Sequence, residues 1–185
     1  LAGAADLKAV PTGIDHGTVT LVVDHHPFEG RPWWHASFVD VRAAATGLLV
    51  RRILRVLGAP IDAGIARSVF TSLVTDTGWF RYSNTDAETL TVAAEMVAHG
   101  AQPAAIYSAL FQRRPIDEPG AMAAVLARVE YFSSGRLAVV DQPLGNGGAA
   151  TLDDGDPVLD ILRAVESVEV VLYLRETEPG SCKLS

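Results

Sequence analysis

The sequence predicts an α/β fold in which a parallel sheet with flanking helices is followed by a linker and a second, partial α/β unit. The run at residues 18–23 is rich in β-branched residues and apolar on both faces, which is typical of a strand buried in a parallel sheet. Strand-like and helix-like segments then alternate along the chain, which favours an α/β layout. Two prolines and a glycine at residues 112–120 indicate a boundary between the two units.

Start and stop signals define the elements of the first unit. Gly58 and Pro60 end one helix, and Asp62 can cap the next. Thr85 and Glu88 have the spacing of a capping box, which places a helix start there. After the first strand, the sequence predicts a strand at Ala36–Val39, helices at 41–57 and from 62 to about 78, a short aromatic strand at 79–82, and helices at 85–99 and Pro103–Phe111.

The elements of the second unit are shorter. Residues 145–156 are rich in glycine and aspartate, which indicates a loop. The other predicted elements are a helix at 121–130, a strand at 136–141, a helix at 157–164, a strand at 168–175 and the beginning of a further strand at 183–185.

Composition excludes several classes of protein. The 15 lysines and arginines are outnumbered by 22 aspartates and glutamates, which gives a net charge of −7. Because the arginines are scattered and form no basic stripe, we expect no long duplex nucleic acid as a partner. The single cysteine, Cys182, excludes an internal disulfide and a cysteine-rich zinc site. No apolar run is long enough to span a membrane, so we expect no membrane partner and a cytoplasmic location.

The first candidate site is Asp24-His25-His26, which directly follows the strand residues 21–23. In an open α/β sheet, ligands bind at the carboxyl ends of the strands. Neighbouring side chains of a strand point to opposite faces, so if strand geometry continues to these residues, His25 and His26 cannot serve one ion in the same way. One of them can ligate a metal while the other contacts substrate or a carboxylate.

The second candidate is Asp76, at the carboxyl end of a predicted helix. A carboxylate there opposes the helix dipole, and a bound cation would remove that conflict. Imidazole combined with carboxylate, with no thiolate nearby, suits Mn²⁺, Fe²⁺, Co²⁺ or Zn²⁺.

These motifs together resemble the DHH phosphoesterase superfamily, and more narrowly its bacterial oligoribonuclease and 3′-phosphoadenosine-5′-phosphate (PAP) phosphatase group, the nanoRNases. In this group a DHH domain is followed by a DHHA1 domain. The segments that carry the resemblance are Val22-Val23-Asp24-His25-His26-Pro27, Ala44-Ala45-Thr46-Gly47, Thr75-Asp76-Thr77-Gly78 with the following Trp79-Phe80-Arg81-Tyr82-Ser83-Asn84-Thr85, and residues 157–176.

The resemblance implies a domain division and a role for each site residue. Residues 1–112 would be the C-terminal portion of a DHH domain, 113–130 a linker and connecting helix, and 131–185 a partial DHHA1 substrate-binding domain. His25 and Asp76 would be ligands of a pair of Mn²⁺ ions, with Mg²⁺ or Co²⁺ as alternatives. His26 would sit against the scissile phosphate, in a catalytic and substrate-binding role, and Asp24 would orient the histidines.

The chain departs from the family pattern in two places. The N-terminal His/Asp/Asp cluster with its further bridging aspartate is not matched, and neither are the Gly-Gly-Gly-His and Arg-x-Ser elements of DHHA1 domains. Two explanations fit these departures: the sequence is a piece of a longer chain, or the protein is a degenerate, inactive relative. The start without methionine and the end within a strand favour the piece.

The implied activity is hydrolysis of short oligoribonucleotides, and of PAP, by a water that two metal ions activate. Short RNA and small nucleotides are therefore the expected partners. The sequence does not decide between a monomer and a homodimer. Three alternatives remain: a phosphodiesterase for linear or cyclic dinucleotides, a single-strand exonuclease of the same superfamily, and a catalytically inactive nucleotide-binding relative.

Overall fold

The structure is a computed structural model that describes residues 17–28, 32–144 and 156–185. It forms two compact units, Leu1–Leu110 and Phe111–Ser185. The loop predicted at 145–156 lies outside the described residues except for Asp156, which begins a helix.

The first unit has the predicted α/β character. Its strands β1 and β2 pair in parallel, with Leu21 opposite Ala36 and Asp24 opposite Val39. The elements are β1 (Leu21–Asp24), β2 (Ala36–Val39), α1 (Thr46–Val56), α2 (Ala63–Asp76), α3 (Ala87–Ala98) and α4 (Pro103–Phe111). The bounds predicted for β2 and α4 are confirmed.

Strand β1 is shorter and less buried than residues 18–23 predicted. Val22 and Asp24 are buried and Val23 packs against the core of the unit, but Leu21 is 58% exposed. Within the described part of the chain β1 pairs with β2 alone, so the strand has one paired edge. The expectation of a strand buried on both faces is therefore wrong for Leu21.

Helix α1 begins at Thr46, not at residue 41, because the segment between forms a turn. The backbone N–H of Ala43 donates to the carbonyl of Asp40 (3.0 Å), and Ala45 has an extended backbone conformation (φ −159°, ψ 152°). All three side chains of 43–45 are nonetheless buried in the core. This buried, non-helical segment, called here the alanine loop (residues 43–45), leaves carbonyl oxygens available to other groups.

Helices α1 and α2 approach each other closely at Gly47. Its N–H donates to Ser72 Oγ (3.0 Å), and a Cβ at this position would lie 3.0 Å from both Ser72 Cβ and the Val69 carbonyl oxygen. Only glycine allows this separation without movement of the neighbouring helix. The alanine loop, which precedes α1, is thereby held against α2.

The strand predicted at 79–82 is wrong, because this segment is a left-handed turn. Gly78, Trp79 and Phe80 all have positive φ, at 54°, 60° and 64°. The Thr77 hydroxyl donates to the Leu73 carbonyl (2.6 Å) and accepts from the Phe80 N–H (3.0 Å), which ends α2. The ring of Trp79 packs edge-on against Tyr107, with centroids 5.0 Å apart. Aromatic packing thus compensates for a backbone conformation that aromatic residues rarely adopt.

Helix α3 begins one residue later than the capping box predicted. Asp86, not Thr85, caps it, since Asp86 Oδ1 accepts from the Thr89 N–H (2.8 Å). Glu88 does not return to the cap and instead binds Arg52 on α1.

The second unit contains a mixed four-stranded sheet in the order β3-β4-β5-β6. The central strands β4 and β5 are parallel, whereas both outer pairs are antiparallel. The elements are α5 (Glu118–Leu126), β3 (Glu130–Phe132), β4 (Leu137–Gln142), α6 (Asp156–Arg163), β5 (Val170–Glu178) and β6 (Ser181–Leu184). No helix in the described ranges is both long and apolar enough to cross a membrane.

Two bidentate ion pairs connect α1 to α3. Arg51 holds Glu95 through contacts of 2.5 and 2.7 Å, and Arg52 holds Glu88 through contacts of 2.5 and 2.9 Å. Hydrogen bonds from these guanidinium groups lower the pKa of both glutamates below the usual 4.5. The lowered pKa means that the folded state favours the charged carboxylates.

We predict that these pairs make stability depend on pH in the acid range. A carboxyl group whose folded pKa is lowered contributes stability that is complete above its unfolded pKa and is lost as pH falls through the folded value. Denaturant unfolding at pH 6 and at pH 3.5 should show a smaller acid loss in the Glu88→Gln/Glu95→Gln variant than in the wild type. The difference should be about 0.5 kcal/mol per pair, because both glutamates are partly exposed. Equal acid losses would contradict this prediction.

Candidate active site

Asp24 ends β1 and organises the residues that follow it. One oxygen, Oδ1, accepts from the backbone N–H of His25 (2.7 Å), the backbone N–H of His26 (3.2 Å) and the ring Nδ1 of His26 (2.8 Å). Burial alone would raise the pKa of Asp24, but these hydrogen bonds outweigh it and hold the pKa below its ordinary value. Asp24 is therefore a carboxylate that fixes the turn after the strand.

The side chain of His25 is mostly buried within the first unit. Its Nδ1 lies 3.1 Å from the carbonyl oxygen of Ala43, in the alanine loop. A carbonyl oxygen only accepts, so Nδ1 carries the hydrogen, and in the neutral ring Nε2 keeps its lone pair. Nε2 lies 3.6 Å from Oδ2 of Asp76. In the neutral ring, the contact with the alanine loop therefore directs the lone pair of Nε2 towards a carboxylate.

Asp76 is the last residue of α2, and its side chain is about one-third exposed. Burial raises the pKa of this carboxyl above its ordinary value, although His25 and His26 act in the opposite direction. Both the burial and the carbonyl end of the helix dipole disfavour a negative charge here. A cation at this place would stabilise the carboxylate.

The donor atoms of His25 and Asp76 fit a divalent metal ion. Two ligand atoms at about 2.1 Å from one ion can be at most about 4.2 Å apart, and the observed separation is 3.6 Å. Asp24, His25 and His26 also place one ligand atom each within 4.8 Å of one another. Asp24 Oδ1 already receives three N–H donors, however, so His25 with Asp76 is the better ligand pair.

His26 lies on the solvent side of the site. Its side chain is 50% exposed, and its ring meets that of His25 edge-on with centroids 4.1 Å apart. Because Asp24 Oδ1 accepts from Nδ1, that nitrogen carries a hydrogen, and Nε2 is on the opposite edge of the ring. His25 and His26 thus face different partners, although both lie in the bend that follows β1 and not in the strand itself.

Asn84 is a site neighbour that sequence reasoning did not single out. Its side-chain Nδ2 donates to the main-chain carbonyl of Asp76 (3.0 Å) and to that of Ala44 (3.3 Å). The polar run at 83–85 indicates a turn, but no spacing rule brings it to a loop 40 residues earlier in the chain.

The chain resembles known proteins over most of its length. No protein-family profile matches the chain. The chain is 35% identical over 158 residues to the bifunctional oligoribonuclease and PAP phosphatase NrnA of Thermus thermophilus. The aligned region covers 85% of this chain and 47% of NrnA. The crystal structure of an exopolyphosphatase-related protein from Bacteroides fragilis superposes with a TM-score of 0.82 at 20% identity, covering 91% of this chain and 50% of the other. The chain therefore spans about half the length of these proteins.

The chain belongs to the DHH family of phosphoesterases. Within that family it is similar to the nanoRNases, as the sequence comparison with NrnA shows. The resemblance inferred from Asp24-His25-His26 and Asp76 is thereby confirmed at the level of the family. The role of each residue stays a prediction.

We predict that Gly78 is required for the turn beside Asp76. A Cβ at Gly78 would lie well inside van der Waals distance of the Tyr82 ring, and the residue has φ +54°. Gly58 has a similar φ of +62° but open space around it, so Gly58→Ala measures the cost of conformation alone. Gly58→Ala should cost about 1 kcal/mol and Gly78→Ala about 2–4 kcal/mol in denaturant unfolding. Equal costs would mean that the Tyr82 contact contributes nothing.

Proposed function

We propose that the full-length protein is a metal-dependent phosphoesterase that hydrolyses very short oligoribonucleotides and PAP. The observation that carries the proposal is the hydrogen bond from His25 Nδ1 to Ala43, which presents Nε2 to Asp76 across 3.6 Å. Membership of the DHH family and the name of the Thermus relative support the reaction class. Oligoribonucleotides and PAP are proposed as substrates because the name of that relative gives both activities. The expected metal is Mn²⁺.

His25 and Asp76 are the residues of this chain that would hold the metal. When bound, a pair of divalent ions polarises the phosphate and lowers the pKa of a bound water. The protein's own contribution is orientation, because Ala43 fixes the His25 ring and the end of α2 fixes Asp76. The expected further ligands are those of the family motifs that this chain does not match.

His26 is proposed to contact the substrate phosphate. Asp24 Oδ1 holds its Nδ1–H at 2.8 Å, which leaves the Nε2 edge of a half-exposed ring for a phosphate oxygen. A hydrogen on Nε2 would let His26 donate a hydrogen bond or a proton to the departing oxygen. Asp24 thus orients both histidines, through one backbone N–H of each and the His26 ring.

Each of the two units corresponds in this proposal to one domain of the family. We assign the first unit, approximately residues 1–112, to the C-terminal portion of a DHH domain, and 131–185 to a partial DHHA1 substrate-binding domain, joined by 113–130. In the structure the division falls between Leu110 and Phe111, and α5 contributes Ala121 and Val125 to the core of the second unit. The connecting helix therefore packs as part of the second unit.

The first prediction of this proposal separates the two histidines. In the full-length protein, His25→Ala should abolish tight Mn²⁺ binding and activity together, because a ligand is lost. His26→Ala should leave the Mn²⁺ affinity within about threefold of wild type and lower kcat by about 10²–10⁴, the usual range for a general acid. Calorimetric Mn²⁺ titration and kcat measurements check both.

His99→Ala is the matched control, since His99 is the C-cap residue of α3 and its loss should change neither quantity. If His26→Ala removes the metal and His25→Ala does not, the assignment of the two residues is reversed.

The second prediction concerns substrate length. A chain with net charge −7 gains little phosphate attraction from each added nucleotide. RNA of about two to five nucleotides should therefore be cleaved with a kcat/KM well above that of a 20-mer, at low and moderate salt alike. Dinucleotide, pentanucleotide and 20-mer RNAs compared with Mn²⁺ decide the matter. Equal or faster cleavage of the 20-mer would favour the exonuclease alternative.

A further inference from the structure

The His25–Asp76 pair is set between two separate pieces of backbone. His25 is held by the alanine loop, through the carbonyl of Ala43, and Asp76 is held at the end of α2. The separation of the two ligand atoms therefore depends on the distance between the alanine loop and the end of α2. A group that bridges the alanine loop and the end of α2 can therefore set the separation of the two ligand atoms without contacting the metal.

Asn84 is such a bridge. Its Nδ2 reaches the carbonyl of Ala44, next to the one that holds His25, and the carbonyl of Asp76 itself. Both acceptors are carbonyl oxygens, so only the NH₂ group of the amide can serve them, with one hydrogen for each. The two contacts close a ring of interactions that runs from His25 through the alanine loop, Asn84 and Asp76 back to His25.

The turn between Asp76 and Asn84 has an unusual backbone conformation. Gly78, Trp79 and Phe80 all lie in the left-handed region, between Asp76 and Asn84 in the chain. Non-glycine residues in this region are conformationally strained, and such strain persists only where surrounding contacts enforce it. The side chain of Asn84 donates one hydrogen bond to the carbonyl of Asp76, at the start of the turn, and one to the carbonyl of Ala44. It therefore connects the turn to both Asp76 and the alanine loop.

The geometry points to Asn84 as a positioning residue that sets the separation of His25 and Asp76 and thereby the affinity for the divalent metal. The inference rests on the proposed function, because it takes His25 and Asp76 as metal ligands. Asn84 touches neither substrate nor metal donor atoms in this account. Its two donated hydrogen bonds act through main-chain carbonyls, as residues that orient metal ligands commonly do.

Asn84 is itself exposed, so a role in fold stability can be distinguished from a role in positioning the metal ligands. Water can replace an exposed hydrogen bond, so removal of the side chain should leave the metal-free fold nearly as stable as before. A fall in metal affinity without a matching fall in metal-free stability is therefore the signature of positioning.

The test uses Asn84→Ala and Asn84→Asp in the full-length protein. Asn84→Asp keeps the side-chain volume but replaces the donor by an acceptor that faces two carbonyl oxygens. Both variants should bind Mn²⁺ about tenfold more weakly in calorimetry, within the range found when residues behind metal ligands are removed. The thermal midpoint in the presence of a chelator should change little in Asn84→Ala.

Ser68→Ala is the matched control. Ser68 Oγ donates to the carbonyl of Gly64 (3.0 Å), so this variant also removes an exposed side-chain to main-chain hydrogen bond on α2, the helix that carries Asp76. It should leave the Mn²⁺ affinity unchanged. If Asn84→Ala behaves like Ser68→Ala, the inference is overturned.

A double variant separates this inference from the proposed function. If Asn84 acts through Asp76, Asn84→Ala should have no further effect on Mn²⁺ affinity in an Asp76→Ala background. An unchanged, full effect in that background would overturn the positioning role. If Asp76→Ala alone leaves Mn²⁺ binding intact, the proposed metal site fails, and the inference about Asn84 fails with it.

Discussion

The hydrogen bond between His25 Nδ1 and the carbonyl oxygen of Ala43 determines which ring nitrogen of His25 is available to a metal. It exists because residues 43–45 are buried without being helical, so that Ala43 keeps a free carbonyl at the end of β1. The close approach of α1 to α2 at Gly47 holds this loop in place. The candidate site is thus a consequence of how three alanines pack, and not only of the acidic and imidazole side chains.

His25 is oriented by a non-helical loop, whereas Asp76 is positioned by a regular helix, which it ends, and is followed by a strained turn. Burial and the helix dipole both disfavour its charge, whereas Asp24 is charged at little cost because three N–H groups point at one of its oxygens. The two carboxylates therefore have different chemistry although they lie near the same histidines. One oxygen of Asp24 already accepts three hydrogen bonds within the protein, whereas the charge of Asp76 would be stabilised by a cation.

Local sequence signals predicted most of the fold but failed where tertiary contacts decide. The bounds of β2 and α4 were predictable because strand residues and a helix-opening proline mark them. The left-handed turn after Gly78 was not, because an aromatic run such as 79–82 normally favours a strand and its positive φ values depend on packing against Tyr107 and Phe70. For the site, the four residues Asp24, His25, His26 and Asp76 were found from motifs, whereas Asn84 required knowledge of contacts across the chain.

The central claim is that His25 and Asp76, rather than the neighbouring Asp24 and His26, hold the metal. The most direct measurement is anomalous diffraction near the manganese edge from crystals of the full-length protein grown with Mn²⁺. We predict a peak within about 2.3 Å of both His25 Nε2 and a carboxylate oxygen of Asp76. A peak bonded to Asp24 or His26, and absent from His25 and Asp76, would contradict it.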